Sequence, residues 1–142
     1  MRRSNIYISC AYSVWIIILV SILGSLYLSE VKGFAPCTLC WYQRIFMFPL
    51  GLIVFVGIVT SDKNNYRYVL PLAIVGGLIA LYHVLLQNNV IPETVAPCTL
   101  SGLCKEKYLN YLGFITIPFL SLISFTTISM LSLIQGLNSK AD

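Results

Sequence analysis

The sequence predicts an all-α membrane protein, a four-transmembrane-helix bundle with both termini cytoplasmic. Three observations carry that prediction. Of 142 residues, 58% are hydrophobic and 10% charged, and the mean hydropathy is +0.84, which leaves too little polar surface for a water-soluble protein. Four runs, 4–29, 45–61, 68–92 and 108–139, contain no formal charge, and each is close to or above the roughly 17–25 residues that a helix needs to cross a bilayer. The basic residues stand in ones and twos at the ends of those runs, where lysine and arginine set topology. A soluble cytoplasmic enzyme is excluded, and four spans of about 20 residues leave only tails and loops, with no space for a nucleotide or flavin domain.

The first span is expected over residues 6–28. Its apolar stretch is longer than the roughly 7–15 residue core of a cleaved signal peptide, and no A-x-A site follows it. The second span, which starts near Cys37 or Trp41 and continues to Thr60, contains Pro49, which lacks an N–H and should bend it. A short polar turn, 61–67, leads to the third span, 69–86, where Gly76 and Gly77 allow close helix contact. Residues 87–111 form the longest loop, and the fourth span covers 112–134. Ser121, Ser124 and Thr127 recur every three residues there, a spacing of small polar residues that marks a packing face.

The net charge of +4 does not point to nucleic acid, because it is spread along the span ends. With four spans, one side carries Arg2, Arg3, Lys63, Arg67 and Lys140 against Asp62 and Asp142. The other carries Lys32, Lys105 and Lys107 against Glu30, Glu93 and Glu106. The positive-inside rule places the first side, with both termini, in the cytoplasm. The string APCTL occurs at 35–39 and again at 96–100, each time followed by a further cysteine. Both cysteine pairs follow odd-numbered spans and so face the same compartment.

Outside the cytoplasmic membrane paired cysteines are expected to form disulfides. Cys37 and Cys40 have the C-x-x-C spacing of redox-active dithiols. At a helix N-terminus both sulfurs fall on one face with Cα atoms about 5 Å apart, and the helix end favours the thiolate. An inert staple or half of a metal site uses the same two residues. Arg44 follows Cys40 by four residues, so a helix carries it along the same stripe, one turn deeper. A charge at that depth marks a functional site or an arginine that snorkels to the headgroups. In a functional site it would lower the pKa of a Cys40 thiolate and stabilise negative charge on an electron acceptor.

Cys98 and Cys104 are separated by five residues including Gly102, which suits a loop disulfide, either a staple or a bond offered to a protein partner for exchange. Cys10 lies about 25–30 Å away along the first span and is read as a buried small hydrophobe. His83 shares a face with Gln87 near the end of the third span, as a packing residue or as part of a redox site. With no second histidine and no acidic residue in the spans, no metal site is expected. Trp41, Tyr42, Tyr108 and Tyr111 fit an interfacial aromatic belt, and the first two could also shape an apolar slot beside Cys40.

The run Pro36-Cys37-Thr38-Leu39-Cys40-Trp41-Tyr42-Gln43-Arg44, the four spans and the second cysteine pair resemble the DsbB family of membrane thiol:disulfide oxidoreductases. The compact second loop is most similar to the Bacillus-type (BdbC) branch of that family. The resemblance implies an enzyme of the bacterial cytoplasmic membrane that reoxidises an extracytoplasmic thioredoxin-like thiol oxidase of the DsbA or BdbD kind. Electrons would pass to a membrane quinone, menaquinone ahead of ubiquinone, in support of disulfide formation in exported proteins. It implies catalytic roles for Cys37, Cys40, Cys98 and Cys104. Cys98 would meet the partner, Cys104 would pass electrons to the first pair, and Cys40 would react with quinone beside Arg44 and His83. The close Cys98 to Cys104 spacing departs from the longer DsbB pattern and leaves the order of exchange between the loops open. Two rival readings are a non-enzymatic four-helix scaffold with two structural disulfides, and a metal-handling protein whose reduced thiols hold Zn or Cu(I).

The topology has a direct test. A membrane-impermeant thiol reagent is expected to reach both pairs only from outside and only after reduction, and labelling of Cys37 or Cys98 from the cytoplasmic face contradicts it.

Overall fold

Lipid tails are as apolar as leucine, so close packing and interhelical hydrogen bonds, rather than escape from water, decide which helix faces meet in a membrane. The computed structural model describes the backbone of residues 2–90 and 116–140 and the side chains of 8–90 and 116–139. It contains four long helices and, among the described residues, no strand. Helix α1 spans Arg2–Leu26 and runs into a π-helical turn, Tyr27–Val31; α2 spans Thr38–Val59, α3 Tyr66–Gln87 and α4 Ile117–Lys140. All four are long and apolar enough to cross a membrane. Each packs against its neighbours in sequence, and α1 closes the ring against α4. Cys98, Cys104, Tyr108 and Tyr111 lie outside the described residues.

The packing faces follow from the spacing of small and apolar residues. On α2 the buried positions are Leu39, Gln43, Met47, Leu50, Val54 and Gly57, and on α3 they include Val69, Ala73, Gly76, Ala80, His83 and Gln87. These steps of three and four residues trace one stripe on each helix. The main core joins them to Val14 and Ile18 of α1 and to Phe125 and Ile128 of α4. Outward-facing positions such as Val20, Leu23, Leu52, Leu78 and Met130 are exposed and present the apolar surface that lipid requires. Gly76 permits a close approach of α3 to α4: a Cβ there would collide with the ring of the fully buried Phe125. The neighbouring Gly77 meets only the Phe125 Cβ at ordinary contact distance, 3.5 Å.

Several boundaries differ from the expected spans. The second helix begins at Thr38, next to the earlier of its two expected starts, because Cys37 acts as its N-cap. Thr116 is non-helical and α4 starts at Ile117, and the expected start at Leu112 lies outside the described residues. Pro118 fits this first turn, where its missing N–H has no helical partner to lose. The same helix continues past Ile134 because Gly136 is buried against the Tyr66 ring, a contact that average hydropathy does not register. Pro49 lies inside α2 without interrupting it. Ser121, Ser124 and Thr127 are half-buried at the edge of the true packing stripe. One of them does join helices, through a 3.1 Å hydrogen bond between Ser21 and Ser124. Cys10 is half-buried rather than buried, and it is a free thiol, because its position on α1 turns partly away from the core.

Gly76→Ala is expected to destabilise the bundle by about 1–3 kcal/mol through overpacking against Phe125. Gly24→Ala, with nothing within 4 Å of its added Cβ, should stay within about 0.5 kcal/mol of the parent. Unfolding in detergent measures both, and equal effects would contradict the assigned packing.

Candidate active site

The end of the bundle where α1 finishes, α2 starts, α3 finishes and α4 starts gathers the reactive side chains. Cys37 has extended backbone angles, φ −71° and ψ 168°, and its sulfur accepts from the Cys40 N–H at 3.3 Å. This is the arrangement of a helix N-cap, with sulfur in the place of the usual oxygen. It turns both sulfurs inward to a separation of 2.9 Å, as free thiols that share a hydrogen bond. Cys37 is 4% exposed and packs with Leu39 and Leu86, while Cys40, Ile79 and Tyr82 cover that small apolar cluster.

His83 reaches this cluster from α3. It is 1% exposed, with Nε2 3.7 Å from Cys37 Sγ and Nδ1 3.3 Å from Gln43 Nε2. With the amide nitrogen donating to Nδ1, the ring proton sits on Nε2 and faces the sulfur. The Cys37 thiol is held well below the usual thiol range, down to about 4. The hydrogen bond shared with Cys40 is the main cause; burial opposes it, and His83 and the Cys40 N–H add to the lowering.

Arg44 approaches from the α1 side. Its Nε donates to Ser25 Oγ at 2.9 Å and its Nη2 to the Ser25 carbonyl at 2.8 Å. The guanidinium lies 5.7 Å from the centre of the Trp41 ring. It is therefore held by α1 and not splayed toward headgroups. Two of its five N–H donors are engaged among the described residues, which leaves three for a ligand.

One pocket joins these groups, lined on its polar side by Cys37, Cys40, Arg44, His83 and Gln87. Leu28, Phe34, Ile117 and Pro118 supply its apolar wall. Gln87 is 5% exposed, and its Oε1 has no hydrogen-bond partner among the described residues. Trp41 and Tyr42 are not part of this lining; at 53% and 44% exposure they stand outward, as an interfacial belt requires.

The sequence reading placed Cys37, Cys40, Arg44 and His83 individually, and the structure brings all four to one pocket. It missed Gln43 and Ser25. Gln43 carried a signal, since an amide on the stripe between Leu39 and Met47 needs a buried partner. Ser25 carried none that separates it from the other serines of α1.

The comparisons with known proteins identify the family. The family described as disulfide bond formation protein DsbB matches residues 8–135. The chain belongs to the DsbB family. It is 46% identical to disulfide bond formation protein C of Bacillus subtilis (strain 168), over 78% of this chain and 80% of that protein. It is 44% identical to a probable disulfide formation protein C of Halalkalibacterium halodurans, over 75% and 78% of the two chains. A probable disulfide formation protein of Metapseudomonas resinovorans is 41% identical, over 76% of each. No solved structure matches. Membership of the DsbB family and the four spanning helices make the chain a multi-pass membrane thiol:disulfide oxidoreductase.

The depressed Cys37 pKa sets a pH test in a protein whose Cys10, Cys98 and Cys104 are serine. One thiolate should persist by ultraviolet absorbance from pH 9 down to pH 6 and disappear in Cys37→Ser. An ordinary thiol loses its thiolate below about pH 8.5, and titration there would contradict the hydrogen-bonding described.

Proposed function

We propose that this protein reoxidises an extracytoplasmic thioredoxin-like thiol oxidase and delivers the electrons to a membrane quinone, so that exported proteins acquire disulfides. The observation that carries this reading is the single pocket that holds a dithiol, a buried histidine and a tethered arginine against an apolar wall. A scaffold braced by inert bridges has no use for the last two. The names of the relatives, disulfide formation proteins, support the overall direction of the chemistry. Placement in the cytoplasmic membrane belongs to the same reading, and the basic residues support a cytoplasmic side for both termini.

The relay conserves two electrons at each exchange. The partner's dithiol reduces the Cys98–Cys104 disulfide and leaves as a disulfide; the new dithiol then reduces Cys37–Cys40 by the same exchange. A quinone in the pocket supplies a two-electron, two-proton sink. The residues of this chain fit such a group. Leu28, Phe34, Ile117 and Pro118 offer an apolar face, and the remaining Arg44 donors suit oxygen atoms that gain negative charge. Gln87 Oε1, without a hydrogen-bond partner among the described residues, is an acceptor for a hydroxyl proton. His83 Nε2–H steadies the Cys37 thiolate, and the sulfurs, already 2.9 Å apart, need only a small side-chain rotation to join when the pair is oxidised.

Arg44→Ala should leave the fold intact and cost on the order of 1.5–3 kcal/mol, roughly ten- to a hundred-fold in quinone use. Arg44→Lys should recover part of this, keeping charge but losing the planar fork. Quinone-dependent oxidation of the reduced partner at several quinone concentrations measures both, and unchanged kinetics in folded Arg44→Ala would leave the arginine a structural tether to Ser25. Cys98→Ser should abolish turnover with the protein partner yet spare oxidation of a small dithiol by quinone. Loss of both would contradict the two-step relay.

A further inference from the structure

The same three atoms that serve the redox pair also compose a metal-ligand set. Cys37 Sγ, Cys40 Sγ and a ring nitrogen of His83 all lie within 4.8 Å of one another. A tetrahedral zinc ion with Zn–S near 2.3 Å and Zn–N near 2.05 Å sets sulfurs about 3.8 Å apart and sulfur to nitrogen about 3.5 Å apart. Cys37 Sγ to His83 Nε2 is 3.7 Å, close to that value. The sulfurs, at 2.9 Å, have to open by about 0.9 Å to reach the same geometry, within the reach of a side-chain rotation. A single histidine in the sequence gives no reason to expect a metal site, but α3 delivers that histidine to the dithiol.

We propose that the reduced Cys37–Cys40 pair and His83 bind one thiophilic divalent cation of the Zn²⁺ type, and that the bound ion holds the pair in its reduced form. The charge balance favours a buried site: two thiolates neutralise the ion and leave no net charge in the apolar cluster. Arg44 lines the same pocket, and its two bonds to Ser25 hold it toward α1. Binding releases the thiol proton that the pair still carries and changes no oxidation state. For Nε2 to lend its lone pair, the ring proton moves to Nδ1, and Gln43 turns its amide so that the oxygen accepts it. A glutamine can do this with one rotation, and a ligating histidine needs such a partner for its other nitrogen. Gln87 Oε1, buried in the same pocket and without a partner among the described residues, or a water, supplies a fourth ligand. Disulfide formation removes both thiolates, so binding is gated by redox state. The inhibitory half of the proposal rests on the redox cycle given above; the binding half does not.

The test uses the full chain in detergent with Cys10, Cys98 and Cys104 replaced by serine, so that only the first pair remains. Co²⁺ is the spectroscopic probe and Zn²⁺ its competitor. The reduced protein should bind one equivalent of Co²⁺ with a sulfur-to-cobalt charge-transfer band, and Zn²⁺ should displace it. The oxidised form of the same protein should show no such band, a comparison that needs no substitution in the site. His83→Ala should weaken binding at least about tenfold, the lower end of what even an outer-shell change costs. One equivalent of Zn²⁺ should slow quinone-dependent thiol oxidation at least tenfold, with recovery on adding a chelator. Absence of the band in the reduced protein, its presence in the oxidised protein, or equal affinity in folded His83→Ala overturns the site. Bound Zn²⁺ that leaves oxidation unslowed overturns the inhibitory role. If chelated, reduced protein is not oxidised by quinone at all, the functional reading fails while the cobalt band still decides the metal site.

Discussion

A histidine with almost no exposure, set between a cysteine sulfur and a glutamine amide, is the contact on which the rest of this structure depends. Neither side chain partner tolerates being left alone in an apolar environment, since an unpaired buried polar group costs about 1–3 kcal/mol. The pairing therefore fixes the register of α3 against the start of α2. His83 belongs to the same buried stripe as Gly76 and Ala80. The close approach at Gly76 to Phe125 of α4 and the reach of the imidazole to Cys37 are thus two ends of one packing arrangement. The N-cap role of Cys37 completes it, because only a residue with extended backbone at that point turns its sulfur back over the first turn of α2.

The other half of the pocket is a second polar tie between helices. Arg44 joins α2 to α1 through both the hydroxyl and the carbonyl of Ser25, two residues before the helix widens into the π turn at Tyr27. Such turns often accompany functional sites, and this one brings Leu28 and Ser29 to the pocket wall. The redox pair thereby sits between a hydrogen-bond donor on α3 and a tethered cation on α2, with no charged carboxylate among the pocket residues. That distribution favours thiolate and electron-rich oxygen over their neutral forms, the preference that thiol–disulfide chemistry in a DsbB-family protein demands.

The four helices were legible in the sequence because exclusion of charge over about 20 residues is a requirement of the bilayer itself. Their ends were less so. Hydropathy does not see a cap made by Cys37, a proline accepted in the first turn of α4, or a glycine at 136 that extends the helix against Tyr66. Within the site, C-x-x-C and Arg44 could be read from helical spacing alone, since they share one segment. The meeting of His83 with Cys37 spans 46 positions and depends on how two helices pack, which no local pattern records. Gln43 was visible as an amide on an apolar stripe, but its partner was not. Cys98 and Cys104 remain known through their sequence and family alone.

The central claim is that the Cys37–Cys40 pair passes its electrons directly to quinone. The most direct measurement is a single turnover of fully reduced protein carrying serine at Cys10, Cys98 and Cys104, with metal chelated, mixed with a membrane quinone while thiols and reduced quinone are counted together. The account predicts the loss of two thiols for each quinone reduced, at the same rate by both readouts. Thiols that persist while quinone remains oxidised, or quinone reduction without loss of these two thiols, would contradict it.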